Sequence, residues 1–173
     1  MYFDDEERGF RRRAWYDTAL VCENGHTIND AVKASPDRSD KFCATCGAAA
    51  VGKCGGCGTP IRGDYHVEGV GAPSSFRVPA YCHECGKAYP WTEALIRAAQ
   101  DLIELSDAEP GEQEKLKQSL PALAGDTPQA QVAATRMRKF LLGAGRQVAD
   151  GMKQILVQVA AESVSRVMFP GGK

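Results

Sequence analysis

The sequence predicts a small, metal-stabilised, β-rich part followed by an all-α part. All seven cysteines of the 173-residue chain lie between Cys22 and Cys85, where glycine and proline are dense and long apolar periodicity is missing. From Thr92 onward the composition changes to Ala, Leu, Gln, Glu and Lys at helical spacing. We therefore expect a flexible N-terminal tail over residues 1–13, a metal-binding domain over 14–91 and a helical domain over 92–173.

Short strands and turns are expected in the first part. The strand candidates are residues 17–21, 61–67 and 76–81, which are rich in β-branched and aromatic side chains. Pro79 lacks an N–H group for a sheet ladder, so the third candidate is at best an edge strand. Glycine, proline and serine make residues 68–75 a loop.

Four helices are expected in the second part. Thr92 can cap a helix that runs to about residue 105, and a more polar helix should cover residues 111–120 and end before Pro121. Thr127 followed by Pro128 is a strong start signal for a third helix, to about residue 142. A glycine pair at 143 and 145 should break the chain before a last helix over residues 146–169.

The cysteines and one histidine form four pairs with metal-ligand spacing. Each pair can hold one edge of a metal site, and two pairs complete a tetrahedral site. The eight donors suffice for two closed sites, with no thiol left over. The predicted zinc ligands are Cys22, His26, Cys43, Cys46, Cys54, Cys57, Cys82 and Cys85.

Glycine accompanies each pair. It follows the second cysteine at Gly47, Gly58 and Gly86, and Gly25 precedes His26. In a zinc knuckle the backbone folds so that amide N–H groups point at the thiolates, and glycine permits the positive φ that this turn needs. The expected fold is therefore a double zinc ribbon built from knuckle hairpins, with two structural Zn²⁺ ions.

Two ways of combining the pairs remain open. Sequential pairing gives one Cys₃His site and one Cys₄ site in tandem ribbons, which we favour. Interleaved pairing would join the first pair to the third, as in the cross-brace of RING-type domains. That arrangement would suit a RING-like scaffold in a bacterial ubiquitin-like conjugation pathway.

The cysteine-rich motifs resemble those of an uncharacterised bacterial family that pairs an N-terminal double zinc ribbon with a helical tail. The resemblance rests on the segments CENGHTIN, KFCATCGA, KCGGCGTPIRG and AYCHECGKAYPWTEAL. It covers most of the chain after the first dozen residues. It implies metal ligands at the same eight positions and no assigned activity.

Nothing in the sequence points to catalysis. A catalytic zinc keeps an open coordination position, whereas both sites here would be filled by protein. Once the thiols are ligands, no cysteine nucleophile remains. His83 should face solvent between two ligands, and His66 should lie on a half-exposed strand, with a role as a substitute ligand only if His26 is not one. We expect a non-enzymatic protein with no catalytic residue.

The charge balance disfavours nucleic acid as a ligand. Residues 14–91 carry seven basic and eight acidic side chains, and two zinc ions on seven thiolates would bring the domain to about −4. The basic run at residues 11–13 is offset by the acidic run at 4–7. A zinc ribbon that binds nucleic acid is therefore the weaker alternative to an adaptor that binds an unidentified protein.

The sequence also predicts the compartment. There is no signal-peptide pattern and no apolar run long enough to span a bilayer, so we expect a cytoplasmic protein with reduced thiols. The last predicted helix has an apolar face that covers more than half of its circumference. Packing against the other helices or a homo-oligomer through the C-terminal helices could bury that face. Attachment to a membrane surface is less favoured, because the polar stripe is not especially basic.

Overall fold

The computed structural model describes residues 12–71, 74, 76–160 and 162–169. Backbone contacts divide the chain into two compact units, the first ending at Pro79 and the second beginning at Ala80. All but the last two residues of the tail predicted over residues 1–13 lie outside the described part of the chain. The predicted fold class is confirmed: short strands with two cysteine-rich clusters precede a helical C-terminal part.

Five short strands lie in the first unit. They are β1 (Ala14–Thr18), β2 (Leu20–Cys22), β3 (Thr27–Asn29), β4 (Ala50–Val51) and β5 (Arg62–Val67). β1 and β5 form a two-stranded antiparallel sheet, and a second sheet has the order β3-β2-β4. The strand predicted over residues 61–67 therefore forms, whereas the segment 17–21 is divided between β1 and β2.

Residues 76–81, predicted as an edge strand, form no strand. Pro79 removes a backbone donor, and Tyr81 instead makes an isolated antiparallel bridge with Ala88 across the last cysteine pair. The β-propensity of this segment is therefore overridden by the local turn that the cysteine pair imposes.

A bulge in β1 brings backbone segments into close contact around Gly63. The register of β1 against β5 shifts between Tyr16 and Thr18. A Cβ atom at Gly63 would lie 2.1 Å from the carbonyl oxygen of Asp30 and 2.8 Å from the carbonyl carbon of Thr18. Glycine is therefore needed at this position so that the three segments can pack.

The buried carboxylate of Asp17 anchors the loop after β3. Its Oδ1 accepts backbone N–H groups from Thr18 at 2.5 Å and Lys33 at 2.9 Å, and its Oδ2 accepts that of Ala34 at 3.1 Å. Burial alone would raise the pKa of Asp17. The backbone donors, together with the His66 ring whose Nε2 lies 3.7 Å from Oδ2, outweigh burial and hold the pKa below its ordinary value.

The second unit contains five helices among its described residues. They are α1 (Pro90–Glu104), α2 (Pro110–Leu123), α3 (Pro128–Gly143), α4 (Arg146–Val159) and α5 (Glu162–Met168). α1 packs against α2 and α4, while α3 packs against α2, α4 and α5. One apolar core is buried among them, with Ile103, Leu116, Leu123, Met137 and Leu156 fully inaccessible to solvent.

The start of α3 was correctly predicted and the start of α1 was not. Thr127 caps α3, since its side chain accepts the N–H of Ala130, and Pro128 is the first helical residue. α1 begins at Pro90 rather than at a Thr92 cap. The buried Thr92 hydroxyl instead donates to the carbonyl of Ala80 at 2.8 Å.

Two helix ends differ from the prediction. α2 continues through Pro121 to Leu123, because Leu120 and Leu123 are buried and their packing outweighs the hydrogen bond that proline removes. The single helix predicted over residues 146–169 is broken at Ala160, which has an extended ψ of 138°. The break lets Val164 of α5 reach the core, where α5 packs against α3.

No helix within the described ranges is both long and apolar enough to cross a bilayer.

Candidate metal centres

Three Cys-x-x-Cys segments share one backbone fold. In each, the residue before the first cysteine bridges the residue three positions after the second, as Phe42–Ala49, Lys53–Pro60 and Tyr81–Ala88. The N–H of the first cysteine donates to the carbonyl two residues after the second, at 2.8–2.9 Å. The chain therefore contains three copies of one short hairpin that presents two thiols on the same side.

Glycine makes these hairpins possible. Gly47, Gly58 and Gly86 have φ between 70° and 74°, and each donates its N–H to the carbonyl of the first cysteine at 2.8–2.9 Å. Gly25 has φ of 85° and donates its N–H to the carbonyl of Cys22 at 2.9 Å, which closes a turn one residue shorter. L-residues with a side chain rarely adopt this conformation. The prediction of glycine-dependent knuckles is thus confirmed.

The first donor group combines the first two pairs, Cys22 with His26 and Cys43 with Cys46. Cys22 Sγ lies 3.5 Å from His26 Nδ1 and 3.7 Å from Cys46 Sγ, while Cys43 Sγ lies 3.7 Å from Nδ1. A tetrahedron with metal–sulfur bonds of about 2.3 Å and metal–nitrogen bonds of about 2.0 Å has sulfur–sulfur edges of about 3.8 Å and sulfur–nitrogen edges of about 3.5 Å. The donors therefore fit one tetrahedral ion.

Hydrogen bonds to sulfur surround this group. The backbone N–H of His26 donates to Cys22 Sγ at 3.3 Å, and the side-chain amide of Asn24 donates to Cys46 Sγ at 3.4 Å. The backbone N–H of Ala48, together with the Asn24 amide, lowers the pKa of Cys46 to about 6. Cys46 is therefore predisposed to be a thiolate, the form in which cysteine binds metals.

Cys22 differs from Cys46 because it is fully buried. Burial raises its pKa, and the N–H groups of His26 and Asn24 only partly offset this effect. A buried thiol of this kind loses its proton when a cation takes the proton's place. The first group thus contains two different cysteines. Cys46, at the surface, loses its proton readily, whereas the buried Cys22 loses its proton when a cation binds.

The second donor group combines the last two pairs, Cys54 with Cys57 and Cys82 with Cys85. The four sulfur atoms lie within 4.8 Å of one another, which allows them to hold a second ion. The N–H of Gly56 donates to Cys54 Sγ at 3.3 Å, and that of Glu84 donates to Cys82 Sγ at 3.5 Å. Amide donors thus face the first sulfur of both pairs, as a thiolate cluster requires.

The structure brings all eight predicted ligand residues together and groups them sequentially. One Cys₃His set and one Cys₄ set form, and the interleaved cross-brace order does not. His66 lies in β5 with its Nε2 near Asp17, so it supplies no donor to either set. His83 is exposed, as expected for a residue between two ligands.

One contributor to the first site could not be recognised from the sequence. Asn24 lies within the Cys22–His26 loop, and its amide reaches a cysteine 22 positions further along the chain. An asparagine before a glycine is an ordinary turn signal, and nothing in the sequence shows which sulfur its side chain reaches. Only the packing of one knuckle against the other defines that contact.

Comparison with known proteins relates the chain to one protein family. No curated protein and no solved structure matches the chain. The sequence model of the family described as "Uncharacterized protein conserved in bacteria (DUF2321)" matches residues 15–168, a range that includes both donor groups and most of the helical part. The chain therefore belongs to the DUF2321 family of conserved bacterial proteins.

Proposed function

We propose that the protein is a non-enzymatic zinc protein that binds a protein partner. In this proposal two structural Zn²⁺ ions hold the β-rich part in shape, and the helical part supports assembly. The observation that carries the proposal is the presence of two complete four-donor groups, which together use every cysteine of the chain.

The donor types favour zinc over other common ions. Thiolate and imidazole in tetrahedral sets suit Zn²⁺, whereas Mg²⁺ and Ca²⁺ prefer oxygen ligands. The glycine-based knuckles with N–H groups directed at sulfur support the same choice, since such donors stabilise the negative charge of zinc thiolates. We therefore assign Cys22, His26, Cys43 and Cys46 to one zinc and the Cys₄ set to the other.

Closed coordination argues against catalysis at either ion. Catalytic zinc sites use three protein ligands and leave the fourth position for water or substrate. Here each group supplies four donors, and three or four thiolates reduce the positive charge that a Lewis acid needs. The metal would thus contribute to folding, for which structural zinc typically supplies about 10–16 kcal/mol of apparent free energy.

Exposed aromatic side chains support a protein partner. Tyr16 and Tyr65 lie on one face of the two-stranded sheet with 49% and 50% of their surface accessible, and Phe42 is 63% accessible. Aromatic residues are enriched in protein interfaces relative to the rest of the surface. The sequential ligand order gives no support to the RING-like alternative, and the charge balance gives none to nucleic acid.

Metal analysis of the full chain tests the proposal. Native mass spectrometry of the reduced protein should show two zinc ions per chain. Replacement with Co²⁺ should give the visible bands of four-coordinate cobalt and strong thiolate-to-metal charge transfer. X-ray absorption at the zinc edge should show sulfur and nitrogen neighbours and no water oxygen.

Two outcomes would contradict the proposal. A stoichiometry below two would show that at least one donor group is not a zinc site. A water oxygen in the first coordination shell of either ion would indicate an open position and would reopen the question of catalysis.

A further inference from the structure

A cleft in the first unit combines aromatic rings with guanidinium groups. We call it the aromatic cleft; its volume is about 310 Å³, and it is lined by Tyr16, Arg62, Gly63, Asp64, Tyr65, Phe76, Arg77 and Pro79. None of these residues belongs to a donor group. The cleft is therefore separate from both candidate metal centres.

Two tyrosines form the centre of the cleft. Tyr16 of β1 is the register partner of Tyr65 of β5, so the two side chains share one face of the sheet. Their ring centroids lie 4.9 Å apart, and each residue remains about half exposed, at 49% and 50%. Paired rings on a sheet are already ordered, so they can bind a ligand at a low cost in conformational entropy.

The segment after β5 contributes the third ring. The Ser74 hydroxyl donates to Asp30 Oδ2 at 2.5 Å, and the N–H of Phe76 donates back to Ser74 Oγ at 3.2 Å. These bonds fix the backbone at Phe76, which is partly buried. The cleft thus has a third aromatic residue whose backbone is held by hydrogen bonds.

The charges in the cleft favour an anion. The Arg62 guanidinium lies 4.9 Å from the Tyr16 ring centroid, and within the described part of the chain it forms no ion pair. Among the residues that the structure describes, two guanidinium groups, those of Arg62 and Arg77, line the cleft together with one carboxylate, that of Asp64. A planar guanidinium held over a ring can still pair with a carboxylate through two parallel hydrogen bonds.

We infer that the aromatic cleft binds an extended peptide segment of a partner protein in which an aromatic side chain lies next to a carboxylate. The aromatic side chain would pack on Tyr16 and Tyr65, and the carboxylate would pair with Arg62. A volume of about 310 Å³ is at the lower end for ligand sites, so it suits one or two side chains of a peptide. This inference rests on the proposed role in protein binding and names the chemistry of the partner.

Single-stranded nucleic acid is the competing ligand, because bases also stack on aromatic rings. Such binding needs a basic groove that follows the phosphate backbone over several nucleotides. The cleft is lined by only two described arginines, Arg62 and Arg77. Residues 14–91 also carry more acidic than basic side chains, even before the thiolates are counted. The charge distribution therefore favours a peptide with one localised carboxylate contact.

Fluorescence anisotropy with the zinc-loaded full chain tests the inference. The probe is a fluorescein-labelled peptide of five Glu-Tyr repeats, and the comparison ligands are five Glu-Ser repeats, five Lys-Tyr repeats and a dT10 oligonucleotide. The Glu-Tyr peptide should bind most tightly. Tyr65→Ala and Arg62→Glu should each weaken its binding at least about tenfold, as expected for interface anchor residues.

Matched controls separate the cleft from general effects on the sheet. Trp15 precedes Tyr16 in β1 and stacks on His66 on the opposite face, so Trp15→Ala should leave binding within about twofold of the wild type. Lys33→Glu makes the same charge change as Arg62→Glu at an exposed position outside the cleft. Zinc content and melting temperature are measured for every variant. If Tyr65→Ala loses zinc, its weaker binding could reflect a damaged fold. The inference is then judged from Arg62→Glu alone, since Arg62 is exposed.

Three outcomes would overturn the inference: no binding of the Glu-Tyr peptide, equal binding by the Arg62→Glu variant, or tighter binding of dT10. Each would leave the proposed zinc sites intact as long as the wild type retains two zinc ions. A wild-type chain with fewer than two zinc ions would instead contradict the proposed function, whatever the peptide result.

Discussion

The side-chain amide of Asn24 donates a hydrogen bond to Cys46 Sγ at 3.4 Å and thereby joins the two knuckles of the first donor group. Asn24 belongs to the loop that supplies Cys22 and His26, and Cys46 belongs to the next pair. Groups that bond to a metal ligand without touching the metal fix the orientation of that ligand and adjust its basicity.

We expect Asn24→Ala to weaken metal binding at the first site about tenfold, the lower end of the usual effect of such partners, because Asn24 is exposed. Competition with a chromogenic chelator should show that one of two zinc ions is lost earlier than in the wild type. Glu23→Ala, at the neighbouring exposed position, is the control and should leave both affinities unchanged. Equal loss of both ions in Asn24→Ala would contradict this role.

Removal of both metals should unfold the knuckles and leave part of the helical signal. The knuckles bury few apolar side chains, whereas the second unit has its own core that includes Leu116, Met137 and Leu156. Circular dichroism after exhaustive chelation should keep much of the helical band at 222 nm while the near-ultraviolet signal of the aromatic residues changes. An unchanged spectrum and melting curve would show that the ions do not stabilise the fold.

Cys57→Ser should remove one zinc ion and leave the other. Cys57 belongs to the second donor group alone, and the two groups share no ligand. Native mass spectrometry should therefore find one zinc per chain in this variant, and Cys43→Ser should give the same count by losing the other ion. Loss of both ions from either single variant would show that the sites depend on each other.

Asp17 should stabilise the fold in a pH-dependent way. Its pKa is held below the ordinary value of 3.8, so its stabilising contribution is complete above pH 3.8 and is lost as the pH falls through the lowered pKa. Asp17→Asn removes charge-assisted bonds to backbone N–H groups and should cost about 2 kcal/mol at pH 7. Denaturant unfolding of the zinc-loaded protein at pH 7 measures this cost.

The control for Asp17 is His66→Gln, which keeps the backbone bonds of the carboxylate and should cost less. In the His66→Gln background, which removes the one titrating side chain beside the carboxylate, the destabilisation by Asp17→Asn should stay constant between pH 5 and 7, because Asp17 is ionised throughout that range. A cost that grows or vanishes between pH 5 and 7 would show that another group is responsible.

Gly63→Ala should destabilise the β1–β5 sheet. The new Cβ would lie 2.1 Å from the Asp30 carbonyl oxygen, and the other close atoms also belong to the backbone, so no flexible side chain can move away. We expect a cost of about 1–3 kcal/mol from overpacking. Gly71→Ala is the control, since its Cβ would meet nothing within 4 Å. Equal melting temperatures for the two variants would contradict the close packing at Gly63.

The donor groups could be predicted from the sequence because the short spacing within each pair fixes where its two donors lie. All four pairs also carry a glycine at positive φ, for example Gly25 and Gly47. The choice between sequential and interleaved grouping could not be predicted in this way, because it depends on how knuckles that are separate in sequence pack against each other. The lengths of the segments between the pairs permit both orders, and the sequential order is the one that forms.

The errors in the predicted elements have a related cause. The periodic apolar pattern continues across Ala160, so the sequence carries no signal for the break that lets Val164 reach the core. Pro121 is a strong local stop signal, yet the burial of Leu120 and Leu123 keeps the helix intact. In each case a tertiary contact decides the outcome, and local propensity is overruled.

Each of the three Cys-x-x-Cys knuckles buries its first cysteine and exposes its second. Cys43, Cys54 and Cys82 are at most 5% accessible, while Cys46, Cys57 and Cys85 are exposed. An ion arriving from solvent can therefore meet the outer sulfurs before the inner ones, and the apolar interior need not open for loading. The same outer sulfurs are the places where a chelator, a thiol reagent or a metal-donating molecule would first make contact.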